Sequence, residues 1–171
     1  MNAFKDRIIW TFWTGDNEMS PNRAKSLEIL TRDSGCKVIT ITPDNLSDYL
    51  VEGDSLHEGY DLLSLTHKSD YLRSYFIYHY GGGYSDIKAY TYSWLPYFDQ
   101  LEESDKEFIG AQEQSPHHIA SDNFMIKNYF RNLASVRCFI FKPKTSFAKE
   151  WKDLTNEKMD AVLNLQLQIK K

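Results

Sequence analysis

The segment Thr66 to Tyr90, THKSDYLRSYFIYHYGGGYSDIKAY, constrains the fold more than any other part of the chain. An aromatic-rich helical run carries Asp70 and Arg73 three positions apart, so both side chains lie on one helical face and can grip one ligand. Gly81, Gly82 and Gly83 then supply the positive φ that a helix terminus and a tight reversal require. The residues that follow have the composition of a buried strand, predicted over Tyr84 to Lys88. From Arg73 to Tyr80 the helix climbs roughly 10 Å at 1.5 Å per residue. A strand running back antiparallel to it, at about 3.3 Å per residue, descends about as far by Asp86. Asp86 is thereby predicted to arrive level with Arg73, where one guanidinium meets two carboxylates. The plainer alternative is a surface ion pair between Asp70 and Arg73, a common arrangement that contributes little, with glycines that only turn a corner.

The rest of the chain alternates strands and helices. Strands are predicted at Ile8 to Trp13, Lys37 to Thr42, Phe108 to Gln112 and Val136 to Phe141. Helices are predicted from about Asn22 to Arg32 after the Ser20-Pro21 signal, from Asp61 to Tyr80, and from Ser146 to Leu154. Shorter helical pieces fall at Leu46 to Leu50 and Trp94 to Gln100, and a separate polar helix closes the chain. Leu65, Leu72, Phe76 and Tyr80 recur at helical spacing and are expected in the core, with Asp70 and Arg73 bordering them. Gln114 to Asn123 is the least regular stretch and carries His117, His118 and Asp122. The alternation implies an α/β sheet with helices on both sides.

Composition narrows the function classes. With 171 residues, 42% of them hydrophobic, the chain is expected to form one globular domain with its own core. A net charge of -4 without a dense run of Lys or Arg leaves no nucleic-acid footprint. Cys36 and Cys138 lie in no C-x-x-C pattern and read as two buried thiols in a reducing compartment. No leader and no apolar run of about 18 residues is visible, so the expected location is cytoplasmic or peripheral at a membrane. The eleven Tyr and four Trp suit a site that stacks bases and sugar faces, although an aromatic core explains most of them equally well.

The run SDYLRSYFIYHYGGGYSD is similar to the core of GT-A-type glycosyltransferases of the sugar-binding D-x-D family, the capsule and mannan synthesis enzymes, and of the glucosyltransferase domains of large clostridial toxins. Their pattern is S-D-x-x-R, a helical aromatic run, Gly-Gly, an aromatic residue and then D-x-D. Upstream, IIWTFWTG at Ile8 to Gly15 looks like the family's first strand, and CFIFKPKTSFAKEW resembles a later strand and helix. The resemblance implies a Rossmann-type, GT-A-like domain with a mixed sheet flanked by helices. It implies transfer of a hexose from a nucleoside diphosphate sugar, a UDP-sugar first of all, to a glycan or other hydroxyl acceptor, with retention. Asp70, Arg73 and Asp86 are then the catalytic residues: the first two hold sugar hydroxyls, and Asp86 serves ribose, sugar and a Mn²⁺ or Mg²⁺ ion. Trp13 stacks on the base, and Thr14, Gly15, Tyr84, Ser85 and Lys88 complete the donor-binding set.

One position departs from the pattern. The second Asp of D-x-D is Lys88 here, and an ammonium offers no oxygen to a hard divalent cation. Asp86 either binds the metal with help from the diphosphate and a further carboxylate such as Glu113 or Asp122, or Lys88 replaces the metal as a point charge, or turnover is lost. The first reading is ranked ahead, because Asp70, Arg73, Asp86 and Trp13 are all kept. The last leaves a binding module that holds a nucleotide or glycan. His117-His118 lacks a third ligand at zinc spacing and reads as a solvated or acceptor-contacting loop. GGGY lacks the spacing of a P-loop, so ATP hydrolysis finds no support.

Overall fold

The computed structural model describes residues 4–119, 121 and 123–169, with side chains placed to 164. Five strands form one sheet: β1 (Ile8–Phe12), β2 (Lys37–Ile41), β3 (Gly82–Ser85), β4 (Phe108–Gln112) and β5 (Ala134–Phe141), in the order β2-β1-β3-β5-β4. β1 pairs in parallel with β2 and β3, and β5 runs antiparallel to both β3 and β4, so the sheet is mixed. Helices α1 (Pro21–Asp33), α2 (Leu65–Tyr80), α3 (Leu95–Glu102), α4 (Phe124–Asn128) and α5 (Ser146–Ile169) complete the regular structure, together with short 3₁₀ turns. This is the mixed α/β architecture expected of a Rossmann-like GT-A domain.

Side-chain alternation sorts the strands onto two faces. Trp10, Phe12, Tyr84, Phe139 and Phe141 pack with Leu72, Phe76 and Tyr75 of α2 and Ala148 of α5. Ile9, Cys138 and Ile140 point the other way, against Leu30 of α1 and Phe98 and Leu101 of α3. Helices on both faces explain why β3 is buried throughout and β1 from Ile9 onward. Cys138 is buried, whereas Cys36 is only half-buried, and both are free thiols. Among the described residues no helix is long and apolar enough to cross a membrane.

Several boundaries differ from the expectations. α2 starts at Leu65 rather than Asp61, because Ser64 is the N-cap and its hydroxyl accepts from the His67 amide, while Tyr60–Leu62 is a separate 3₁₀ turn. Leu65 and Tyr80 thus sit at the helix ends, 52% and 38% exposed, and only Leu72 and Phe76 of the expected stripe are core. The C-terminal helices are one 24-residue helix, since neither Gly nor Pro interrupts Ser146 to Ile169. β3 begins at Gly82 and ends at Ser85, so two of the glycines lie in the strand and Asp86 stands just beyond it. Gly81 ends α2 at φ 61°, and Gly82 follows at φ 87°. A Cβ at Gly82 would lie 2.8 Å from the Ile8 carbonyl, and one at Gly81 2.6 Å from the Pro143 nitrogen. Both the backbone conformation and the close approach of Pro143 to Gly81 and of β1 to Gly82 therefore require glycine.

Candidate active site

The reversal at Gly81 and Gly82 sends β3 back along α2 and brings Asp86 to Arg73. Arg73 Nη2 lies 3.0 Å from Asp70 Oδ1 and 3.5 Å from Asp86 Oδ1. Its Nη1 donates to the Val136 carbonyl at 3.2 Å, which anchors the guanidinium on β5. The same guanidinium stacks over the Tyr84 ring at 4.5 Å. Its Nε is buried and without a hydrogen-bond partner, a donor held in the site with nothing to receive it.

Asp86 is surrounded by donors. The Tyr84 hydroxyl donates to Oδ1 at 2.8 Å, and Lys88 Nζ stands 3.7 Å from Oδ2. Burial pushes the Tyr84 phenol well above its ordinary range, so it remains protonated and remains a donor. The Asp86 amide donates to the Arg137 carbonyl at 2.8 Å, which continues the β3–β5 pairing one residue past the strand.

A cleft of about 400 Å³ opens over this group. Trp13, Thr14, Gly15 and Asn17 form one wall, Leu65, Ser69 and Arg73 of α2 another, and Tyr84, Asp86 and Arg23 the floor and rim. Trp13 is half-buried, and its indole nitrogen donates to the Asn17 carbonyl at 2.7 Å, which fixes the ring. Trp10 and Trp94 are buried, so Trp13 is the tryptophan offered to this cleft. Thr14 Oγ1 donates to the Leu65 carbonyl at 2.7 Å, tying the β1–α1 loop to the start of α2. Gly15 fits there because a Cβ would meet Asn17 Oδ1 at 2.6 Å and Leu65 at 3.0 Å.

Three expected donor ligands, Ser85, Asp70 and Lys88, do not line the cleft. Ser85 is fully buried and does not line the cleft, because strand alternation turns it away from Tyr84, and its hydroxyl donates to the Asp86 carbonyl at 2.7 Å. Asp70 lines a neighbouring groove of about 460 Å³ formed with Leu63, Trp151, Met159 and Leu163, and Arg73 is common to groove and cleft. Lys88 is not among the residues lining the cleft, and its ammonium lies 3.7 Å from Asp86 Oδ2.

Arg23 was missed by the sequence reading. Its Nη1 donates to the Ile87 carbonyl at 2.7 Å, so the first turn of α1 is fastened to the chain just after Asp86. Sixty-four positions separate the two residues, and no local pattern connects them. The usable signal was the residue type, since a cation at a helix N-terminus opposes the helix dipole.

Among the described residues the side chains do not form a cradle for Mn²⁺ or Mg²⁺. Among the described residues Asp86 is the lone carboxylate lining the cleft, and Arg73 and Lys88 face its two oxygens. Glu113 is buried away from it, 3.6 Å from Arg137 Nη2 and 3.3 Å from His118 Nδ1. Asp122 lies outside the described residues. Among the described residues no three acidic, His or Cys side chains group as a metal site. A divalent ion prefers six or more oxygens, and here two cations occupy the approaches to the one carboxylate.

Neither the curated proteins nor the solved structures contain a match to the chain. The family model described as capsular polysaccharide synthesis protein matches residues 1–158, nearly the whole chain. The chain therefore belongs to the capsular polysaccharide synthesis protein family.

Proposed function

We propose that the protein is a glycosyltransferase that moves a hexose from a nucleoside diphosphate sugar to a hydroxyl of a glycan acceptor in polysaccharide synthesis. The observation that carries this reading is the convergence of Asp70, Arg73 and Asp86 beside a cleft that also presents an indole. Membership of a capsule-synthesis family supports it at the level of the pathway class.

In this reading Trp13 stacks on the base, and Arg73 and Asp86 hold the sugar and ribose. The bond from the anomeric carbon to the diphosphate oxygen breaks, that carbon bonds to the acceptor oxygen, and the acceptor's hydroxyl proton passes to the leaving diphosphate. Positive charge grows on the ring while negative charge grows on the leaving diphosphate. Cationic side chains fixed before the reaction stabilise that charge without reorganising. Arg73, stacked on Tyr84 and bonded to Val136, is fixed in this sense. Asp70 and the adjoining groove seat the acceptor hydroxyl.

The test is release of free nucleoside diphosphate from a panel of UDP-, GDP- and dTDP-hexoses, with and without oligosaccharide acceptors. The expected result is release from one donor, lost in Asp86→Asn. Tight binding of a donor with no release under any condition would replace the enzyme with a binding module.

A further inference from the structure

We propose that the cleft binds the donor diphosphate through a clamp of two side chains, Arg23 and Lys88, standing where a divalent cation would otherwise be needed. The proposal rests on the nucleotide-sugar reading for its ligand, but its own basis is the charge around Asp86.

Arg23 lines the cleft and is aimed by one hydrogen bond, from Nη1 to the Ile87 carbonyl at 2.7 Å. No carboxylate pairs with it among the described residues, in contrast to Arg7, Arg32 and Arg73. It also occupies the first turn of α1, where no acidic residue stands and Ser20 caps the helix. The helix dipole makes that turn partly positive, so a guanidinium there is locally unfavourable unless an anion faces it. An anion in the cleft removes the conflict, because the guanidinium and the helix terminus then act on it together.

Lys88 stands beside Asp86. Its ammonium is 3.7 Å from Asp86 Oδ2, too long for a strong hydrogen bond, and its side chain is 42% exposed. Arg23 reaches Ile87 and Lys88 follows it directly in the chain, so the two cations bracket the turn after Asp86. Arg73 completes the set. Arg73 and Lys88 thus contact Asp86 while Arg23 lines the same cleft, three cations about one lining carboxylate among the described residues, an excess of positive charge that attracts a diphosphate and repels a metal ion. Lys88, at the position of the second Asp of D-x-D, supplies the charge that a complete pair of carboxylates would have recruited as metal.

The test is calorimetric binding of inorganic pyrophosphate, UDP and uridine to the full chain, in EDTA and again with added MnCl₂. The clamp predicts that pyrophosphate and UDP bind in EDTA, that MnCl₂ adds no affinity, and that Arg23→Gln and Lys88→Gln each weaken both ligands roughly tenfold. Uridine, which has no phosphate, should be unaffected by either variant. Arg23→Gln keeps an N–H donor for the Ile87 carbonyl, so its thermal midpoint, read alongside, separates lost charge from lost anchoring. Binding of UDP or pyrophosphate only with MnCl₂ would overturn the clamp, as would wild-type affinity for both in Arg23→Gln and Lys88→Gln. Pyrophosphate bound in EDTA and lost in the variants, with UDP no tighter than pyrophosphate, would support the clamp and defeat the nucleotide reading instead.

Discussion

Helix α2 carries a charge cluster towards each end. At the C-terminal end the His79 ring, 3% exposed, places Nε2 2.9 Å from Asp54 Oδ2, and its Nδ1 accepts from Lys144 Nζ at 2.9 Å. Lys152 Nζ lies 2.8 Å from the same Asp54 oxygen. Both ammonium groups also sit over the Tyr78 ring, at 4.4 and 5.4 Å. Each charged group there already has short contacts. At the other cluster Arg73 meets Asp86 at 3.5 Å, keeps a buried Nε without a partner, and opens onto the cleft. The closed cluster ties α2 to α5 and to the loop that holds Asp54. The open one holds interaction capacity in reserve, which is what ligand binding uses.

If that contrast is right, substitutions at the two ends should separate function from stability. Asp86→Asn keeps an acceptor for the Tyr84 hydroxyl but loses the charge opposite Arg73 and Lys88. Transfer should fall about 10²–10³-fold, the scale of a lost preorganised electrostatic contact, with the urea midpoint nearly unchanged. Normal turnover in this variant would refute the site.

Asp54→Ala should do the reverse. It leaves Lys152, 10% exposed, and His79 without their carboxylate. A buried pair broken on one side costs about 3–5 kcal/mol, and the partial exposure of Asp54 reduces the expected loss to about 2–3 kcal/mol. Nucleotide affinity, measured by tryptophan quenching, should stay at the wild-type value. A matching loss of affinity would mean that the two ends are not independent.

Trp13→Ala sharpens the contrast from within the cleft, weakening the nucleotide by about 1–3 kcal/mol through loss of one stacked base. Quenching by UDP that survives Trp13→Phe at unchanged affinity would move the base elsewhere.

The smallest effect concerns pH. Burial, and then the Lys144 charge, hold the His79 pKa below its ordinary value of 6.5 despite Asp54. The unfolded chain therefore binds the proton first. Stability is full above about pH 6.5 and declines as pH falls from there towards the depressed folded value, then levels off. Asp54, whose pKa is lowered chiefly by Lys152 against the opposing effect of burial, adds a second loss only below its ordinary 3.8. Urea midpoints between about pH 7.5 and pH 5 should show a decline under about 1 kcal/mol that His79→Gln abolishes. A flat profile in the wild type would mean that the closed cluster accepts the proton freely.

How much of this could be read in the chain depended on the range of the interactions. β4 falls at the predicted Phe108 to Gln112, and β1 and β2 end within one residue of their expected limits, because short runs rich in β-branched and aromatic residues report directly on a sheet. The meeting of Asp86 with Arg73 was legible because helix rise and strand rise are fixed lengths joined by a glycine reversal. The start of α2 was misplaced because Asp61 and Ser64 are both capping residues, and the hydrogen bond to the His67 amide decides between them. Arg23 against Ile87, Ser85 behind its strand and Glu113 in a pair with Arg137 depend on how distant segments are laid together. No local periodicity encodes such contacts.

Arg73 forms part of the wall of both the 400 Å³ cleft and the 460 Å³ groove. One planar group with a fixed set of donors cannot satisfy two ligands independently, so whatever turns it towards the cleft alters the groove. Thermodynamic linkage then makes the effect mutual: the factor by which a cleft ligand changes affinity in the groove equals the factor in the opposite direction. If both are filled together, each ligand's affinity then depends on the other through a single side chain, and the tether from Arg73 to Val136 limits how far that side chain can turn between them.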